Sequence, residues 1–261
     1  MKVAVRVSSC NPSSAARPLR AMRRRNCWLA LALTGCAVVG SSVERHQEYG
    51  WAKAVLLGTE VGDARDAVVR WPHSVHYLVV TVPARVRRAV DAAFAQLQET
   101  LQGSLKMDLE HIDGSDERIG RDGFVTVFAM APRHAVDLAK RYGAQRPQPD
   151  ADGWFTIVWN RSFELTRAVV FIDPGLTDKW LRHTALEEMF QALGPSNDSP
   201  TIHDSLLFES DTLAGSHDRL GRVDEQVLWL LYNGLQPGDG AVEIARAMQR
   251  LWVFADAVSD G

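Results

Sequence analysis

The chain has 261 residues, of which 46% are apolar, 23% charged and 8% aromatic. This is an ordinary globular composition, and it excludes disordered, collagen-like and disulfide-scaffold proteins. Residues 1–36 hold seven basic residues (Lys2, Arg6, Arg17, Arg20, Arg23, Arg24, Arg25) and no acidic one, which leaves 22 basic against 32 acidic residues and a net charge of −10 in the remainder. So acidic a body lacks the basic face that phosphate binding needs, and no nucleic-acid partner is expected. Cys10, Cys27 and Cys36 are the only cysteines, so the body has no thiol nucleophile, thiolate metal site or disulfide.

Arg23-Arg24-Arg25 precedes an apolar run from Cys27 to Gly40. Fourteen residues are too few for a bilayer core, which takes about 20 helical residues. The charge and the short apolar run suit a signal region over 1–36. Leu33-Thr34-Gly35-Cys36 resembles the lipobox of bacterial lipoproteins. The resemblance implies cleavage before Cys36, acyl chains on its sulfur and attachment to the cell envelope. Ala37 follows, which by the same likeness favours the outer membrane, facing the periplasm or the surface. An ordinary secretory signal or an apolar cytosolic start are the alternatives. Met1 to Ala21 fit no signal design, and Met22, directly before the arginines, is the better start.

Residues 37–70 are weakly periodic and read as a tether leading into a single domain over 71–258. Val75 to Val82 is β-branched and ends at Pro83, which predicts a strand. Val86, Val90, Phe94, Leu97 and Leu101 predict a helix over about 84–101. Strands are expected over 105–112 and 123–130, a short helix over 133–142 and a loop over 145–153. Two further strands, 154–159 and 166–172, flank a turn at 160–163. A helix capped by Thr177 runs to about Leu193, followed by a long polar loop over 194–218. Asp218 is placed to cap the first of two closing helices, 220–232 and 241–254. The fold class is therefore α/β (α+β), a mixed sheet with helices and a helical C-terminal part. Trp154, Trp159, Trp180, Trp229 and Trp252 occupy periodic apolar positions and are expected in the core.

The helix before the polar loop carries the one constellation with chemical content. His183, Glu187 and Gln191 recur at i, i+4 and i+8, so they stack along one face, with Glu188 beside them. Glu187-Glu188-x-x-Gln191-x-x-Gly194-x-x-Asn197 resembles the zincin helix in its metzincin form, H-E-x-x-H-x-x-G-x-x-H. The same stretch, ending Asn197-Asp198, together with Leu228 to Gly238, is similar to an uncharacterised bacterial secreted-protein family. The likeness implies a zincin-like domain with Glu188 in the general-base position and a site at Glu187, Gln191, Asn197 and Asp198. The departures are chemical. Both zinc histidines are replaced, an amide is a poor ligand for Zn²⁺, and no methionine lies between Met189 and Met248.

Several arrangements stay open. Oxygen donors at Glu187, Gln191, Asn197 and Asp198 suit a hard divalent cation. A rearranged site would use His183, Glu187 and His203. A metal-free cleft would bind a peptide or cell-wall ligand uncut. The stripe could also be the solvated face of an amphipathic helix. The reading adopted is a lipid-anchored envelope protein that binds or supports, with no resident cofactor; the alternative is a metal-dependent hydrolase with Glu188 as base.

Overall fold

A computed structural model describes residues 4–7, 42–58, 65–143, 147–208 and 217–259. Cys36 lies outside the described residues, as does most of the expected signal region. In chain order the elements are β1 (Ala4–Val7), α1 (Ser42–Leu57), β2 (Ser74–Val80), α2 (Ala84–Thr100), β3 (Lys106–Ile112) and β4 (Phe124–Ala129). A 3-10 turn (Pro132–His134), α3 (Val136–Arg141), β5 (Gly153–Trp159), β6 (Leu165–Ile172) and α4 (Asp178–Gln191) follow. The chain closes with α5 (Arg222–Trp229), a π turn (Leu230–Gly234) and α6 (Ala241–Ser259).

Strands β2 to β6 form a mixed sheet, and β1 adds to its β5 edge, giving the order β1-β5-β6-β4-β2-β3. Strand β2 pairs in parallel with β3 and β4, and β4 with β6. Only β5 runs antiparallel to its neighbour β6. Ala4–Val7 pairs in parallel with the outer edge of β5. The inner strands β4 and β6 are near-continuous runs of Val, Ile and Phe because parallel strands are covered on both faces. One face packs on α1, α2, α4, α5 and α6 through the larger core cluster, which includes Trp51, Tyr77, Phe155, Met189, Leu228 and Ile244. The other face packs on α3 and its flanks through Leu78, Phe128, Trp154 and Phe171 with Ala135 and Ala139.

The predicted strands and α2 stand within one or two residues of their expected bounds. Three expectations need correction. The stretch 37–70 is not a tether throughout: α1 lies within it and buries Trp51, Ala52, Val55 and Leu56 in the main core. Asp218 does not cap α5; its carboxylate accepts from Arg182 Nε at 2.9 Å, and Asp224 closes the α5 start from inside the first turn. Trp154 and Trp159 are core residues, but Trp229 is not, since it is 38% exposed, and Trp180 and Trp252 are only half-buried.

Candidate functional site

Helix α4 follows the last strand and runs between the sheet and α2. Among residues 181–191 only Arg182 is exposed. The stripe His183–Glu187–Gln191 is therefore buried rather than a solvated face, and Glu188 is fully buried too. A helix covered on nearly every side has no solvent face for its polar residues, so each depends on partners within the protein; Gln191 Oε1 is buried without a hydrogen-bond partner.

The end of α4 is tied down by side chains from three other segments. Tyr77 donates its hydroxyl to Met189 O at 3.1 Å, Trp71 its indole N–H to Ala192 O at 3.0 Å, and Tyr232 its hydroxyl to Leu193 O at 2.7 Å. These donors satisfy carbonyls that a helix end leaves open. Burial pushes both tyrosine hydroxyls well above their ordinary pKa, so both remain donors. Gly194 then turns the chain at φ +134°, where a Cβ would lie 2.5 Å from Val69 O. Only glycine fits that turn. The turn brings the following residues back to the helix: Gln191 Nε2 donates to Asp198 Oδ1 at 2.8 Å, and Asn197 Nδ2 donates to Asp198 O at 2.9 Å.

His183 and Glu187 form a separate pair. Nε2 of His183 lies 2.9 Å from Glu187 Oε2, and its Nδ1 lies 2.6 Å from His217 O. Both neighbours are acceptors, so a ring satisfied on both sides donates twice and is the imidazolium. Burial lowers the His183 pKa. The charge and hydrogen bond of Glu187, the His217 carbonyl and Asp152 outweigh that and hold it above its ordinary value. The sign for stability follows. The contribution is fully present below the unfolded-state pKa and is lost as pH rises through the raised folded value. Glu187→Gln removes the largest raising influence, so the His183 ring should titrate at lower pH in that variant, read by NMR of the ring protons. An unchanged midpoint would disprove the coupling.

The sequence-predicted residues thus fall into two groups. Gln191, Asn197 and Asp198 are brought together, whereas Glu187 is committed to His183. Glu188 lies against the start of β5, where a Cβ on Gly153 would sit 2.3 Å from its Oε1. His203 does not join them: it is exposed in the loop with its ring 4.3 Å from that of Phe208. Among the described residues no three His, Cys, Asp or Glu side chains converge as a metal-holding group, so the His183–Glu187–His203 set is not assembled.

Sequence reading missed Asp224. Its Oδ1 accepts from Ser205 Oγ at 2.7 Å, and its Oδ2 accepts from Leu206 N and Gly221 N, both at 2.7 Å. An acidic residue three positions after a glycine at a helix start was the available signal. Arg65 was missed as well. It is buried beside the Gly194 turn, donates to Leu56 O and Gly194 O at 3.2 and 3.3 Å, and bonds to Ser196 Oγ.

No curated protein matches the chain. A protein family of unknown function, DUF2927, matches residues 51–250, which run from the buried middle of α1 into α6 and include the whole α4 site. The chain belongs to this uncharacterised family, DUF2927.

Proposed function

We propose that this is a lipid-anchored cell-envelope protein whose zincin-like domain binds an extended peptide or cell-wall ligand without cutting it. The observation that carries this reading is the mutual engagement of the would-be ligand residues, His183 with Glu187 and Gln191 with Asp198. A metal-activated water needs donors free to face the ion, since it is the ion that brings the water's pKa from near 16 towards 7. Here His183 Nε2 and Glu187 Oε2 face one another and Asp198 Oδ1 accepts from Gln191 Nε2, which leaves the Gln191 amide oxygen, a neutral and weak ligand, buried without a hydrogen-bond partner.

Two features support the zincin likeness. Strand β5, antiparallel to β6, runs beside the motif helix, and the glycine turn at Gly194 returns Asn197 and Asp198 to that helix. Ala4–Val7 pairs along the outer edge of β5; the proposed cleavage before Cys36 removes that partner and leaves the edge free for the main chain of an extended ligand. Among the described residues no helix is long and apolar enough to cross a membrane; the proposed attachment is through acyl chains on Cys36, each buried methylene contributing about 0.8 kcal/mol.

The test uses the purified full chain with Cys36→Ser, with and without added zinc, against casein and muropeptides. The expected result is no zinc at stoichiometric level and no hydrolysis above that of Glu188→Gln, an isostere chosen because the site is buried. Stoichiometric zinc together with hydrolysis lost in Glu188→Gln would overturn the reading in favour of a metal-dependent hydrolase with Glu188 as general base. Palmitate labelling of the unmodified chain tests the anchor: the label should vanish in Cys36→Ser.

A further inference from the structure

The start of α1 and the far part of α6 meet at one end of the molecule. Trp252 Nε1 donates to Glu48 at 3.0 Å, and the Arg45 guanidinium lies 5.8 Å from the centre of the Trp252 ring. Tyr49 reaches back to Ala241 O at 3.4 Å, so the two helices run antiparallel. Around this junction two large apolar side chains face outward, Val43 at 65% exposure and Val253 at 68%. Val253 continues an exposed stripe on α6 that includes Arg246 and Gln249, with Arg250 exposed beside it.

We propose that this face, the α1 start with the exposed stripe of α6, seats on the lipid headgroups of the membrane that holds Cys36. The inference rests on the anchor reading given above and adds an orientation to it. Five residues separate Cys36 from Ser42. Even fully extended, that connection spans roughly 20 Å. The first turn of α1 is therefore the part of the domain that an anchored Cys36 holds nearest the bilayer. A tether so short turns docking into an intramolecular event at an effective concentration in the millimolar range. A small patch then suffices. Half-buried Trp252 is the residue type that favours the headgroup level, and a cation near an anionic surface contributes about 1 kcal/mol. The −10 body would otherwise stand off such a surface; this end sets Arg45, Arg246 and Arg250 against Glu44, Glu48 and Glu243, so it is locally neutral and carries exposed apolar side chains, which is the feature that selects it.

The experiment uses the full lipidated chain reconstituted in phosphatidylethanolamine–phosphatidylglycerol vesicles. The mature body has no other thiol, so one introduced cysteine is a unique labelling position: Val253→Cys on the proposed face and Arg121→Cys on the far side of the sheet, each carrying an environment-sensitive dye. Headgroup-level quenchers should reduce emission at 253 several-fold more than at 121. Adding Val43→Asp, an exposed substitution, should remove most of that difference. Equal quenching at both positions with palmitate label intact would overturn the docking and leave the anchor standing. Absence of palmitate label would remove the anchor and the docking with it.

Discussion

Gly153→Ala is expected to destabilise the protein by about 3 kcal/mol, at the upper end of what an added methyl costs in a packed interior. A Cβ at this position would lie 2.3 Å from Glu188 Oε1, 2.5 Å from Thr184 Cγ2 and 2.7 Å from Glu188 Cγ. Backbone preference works the other way, since alanine is intrinsically better than glycine within a strand. The sign of the measured change therefore isolates the steric conflict. Neither obstacle can swing away: Glu188 and Thr184 are both buried on α4, and α4 is fixed at its end by Tyr77, Trp71 and Tyr232. The strand or the helix must shift. Adding Thr184→Ser deletes the second-nearest obstacle and should restore part of the loss, a coupling that a double-mutant cycle in urea reads directly. Wild-type stability in Gly153→Ala would mean that β5 does not press on the motif helix.

That contact also explains which parts of the molecule were legible in the sequence. Strands β2, β4 and β6 announce themselves because parallel strands covered on both faces are nearly continuous in β-branched and aromatic residues, as in Val125 to Phe128 and Ala168 to Ile172. Helix α2 is legible because one of its faces is wet. Helix α4 misleads for the opposite reason. Its wheel divides into apolar and polar halves, yet both halves are buried, and the polar half finds its partners inside the protein: Glu187 and the His217 carbonyl for His183, Asp198 for Gln191. Nothing in local spacing encodes the His217 partner, 34 residues away. The spacing did place Glu187, Gln191, Gly194 and Asn197 around one helix end, but not whether their donors would face a ligand or one another. Helix α1 was missed because Trp51, Val55 and Leu56 are interspersed with polar residues that have tertiary partners, such as Glu48 with Arg222 and Trp252.

Asp224→Ala should cost about 3–4 kcal/mol, because three donors lose their acceptor in a dry interior. The side chain is fully buried and receives the Ser205 hydroxyl and the Leu206 and Gly221 N–H groups, so it joins the loop after the motif to the start of α5. Gly221 packs closely on Asp204 O, which a Cβ there would approach to 2.0 Å, so no side chain at 221 can stand in for the lost carboxylate. Asp224→Asn should retain most of the stability: one amide oxygen can accept both N–H groups, and the hydroxyl of Ser205 can turn to accept from the amide. The two variants separate hydrogen bonding from charge. Burial raises the Asp224 pKa to about 6, against the lowering effect of the three donors. A carboxyl raised in the folded state favours folding while protonated. That advantage is complete below about 3.8, the unfolded value, and is lost as pH rises to about 6. The full loss corresponds to roughly 3 kcal/mol. Asn carries no such charge, so the stability difference between Asp224→Asn and wild type should move in favour of the variant between pH 4 and 7, read from urea midpoints at each pH. A difference that stays flat across this range would show that the three donors hold the carboxylate ionised at no net cost, and that the loop is fastened by hydrogen bonds alone.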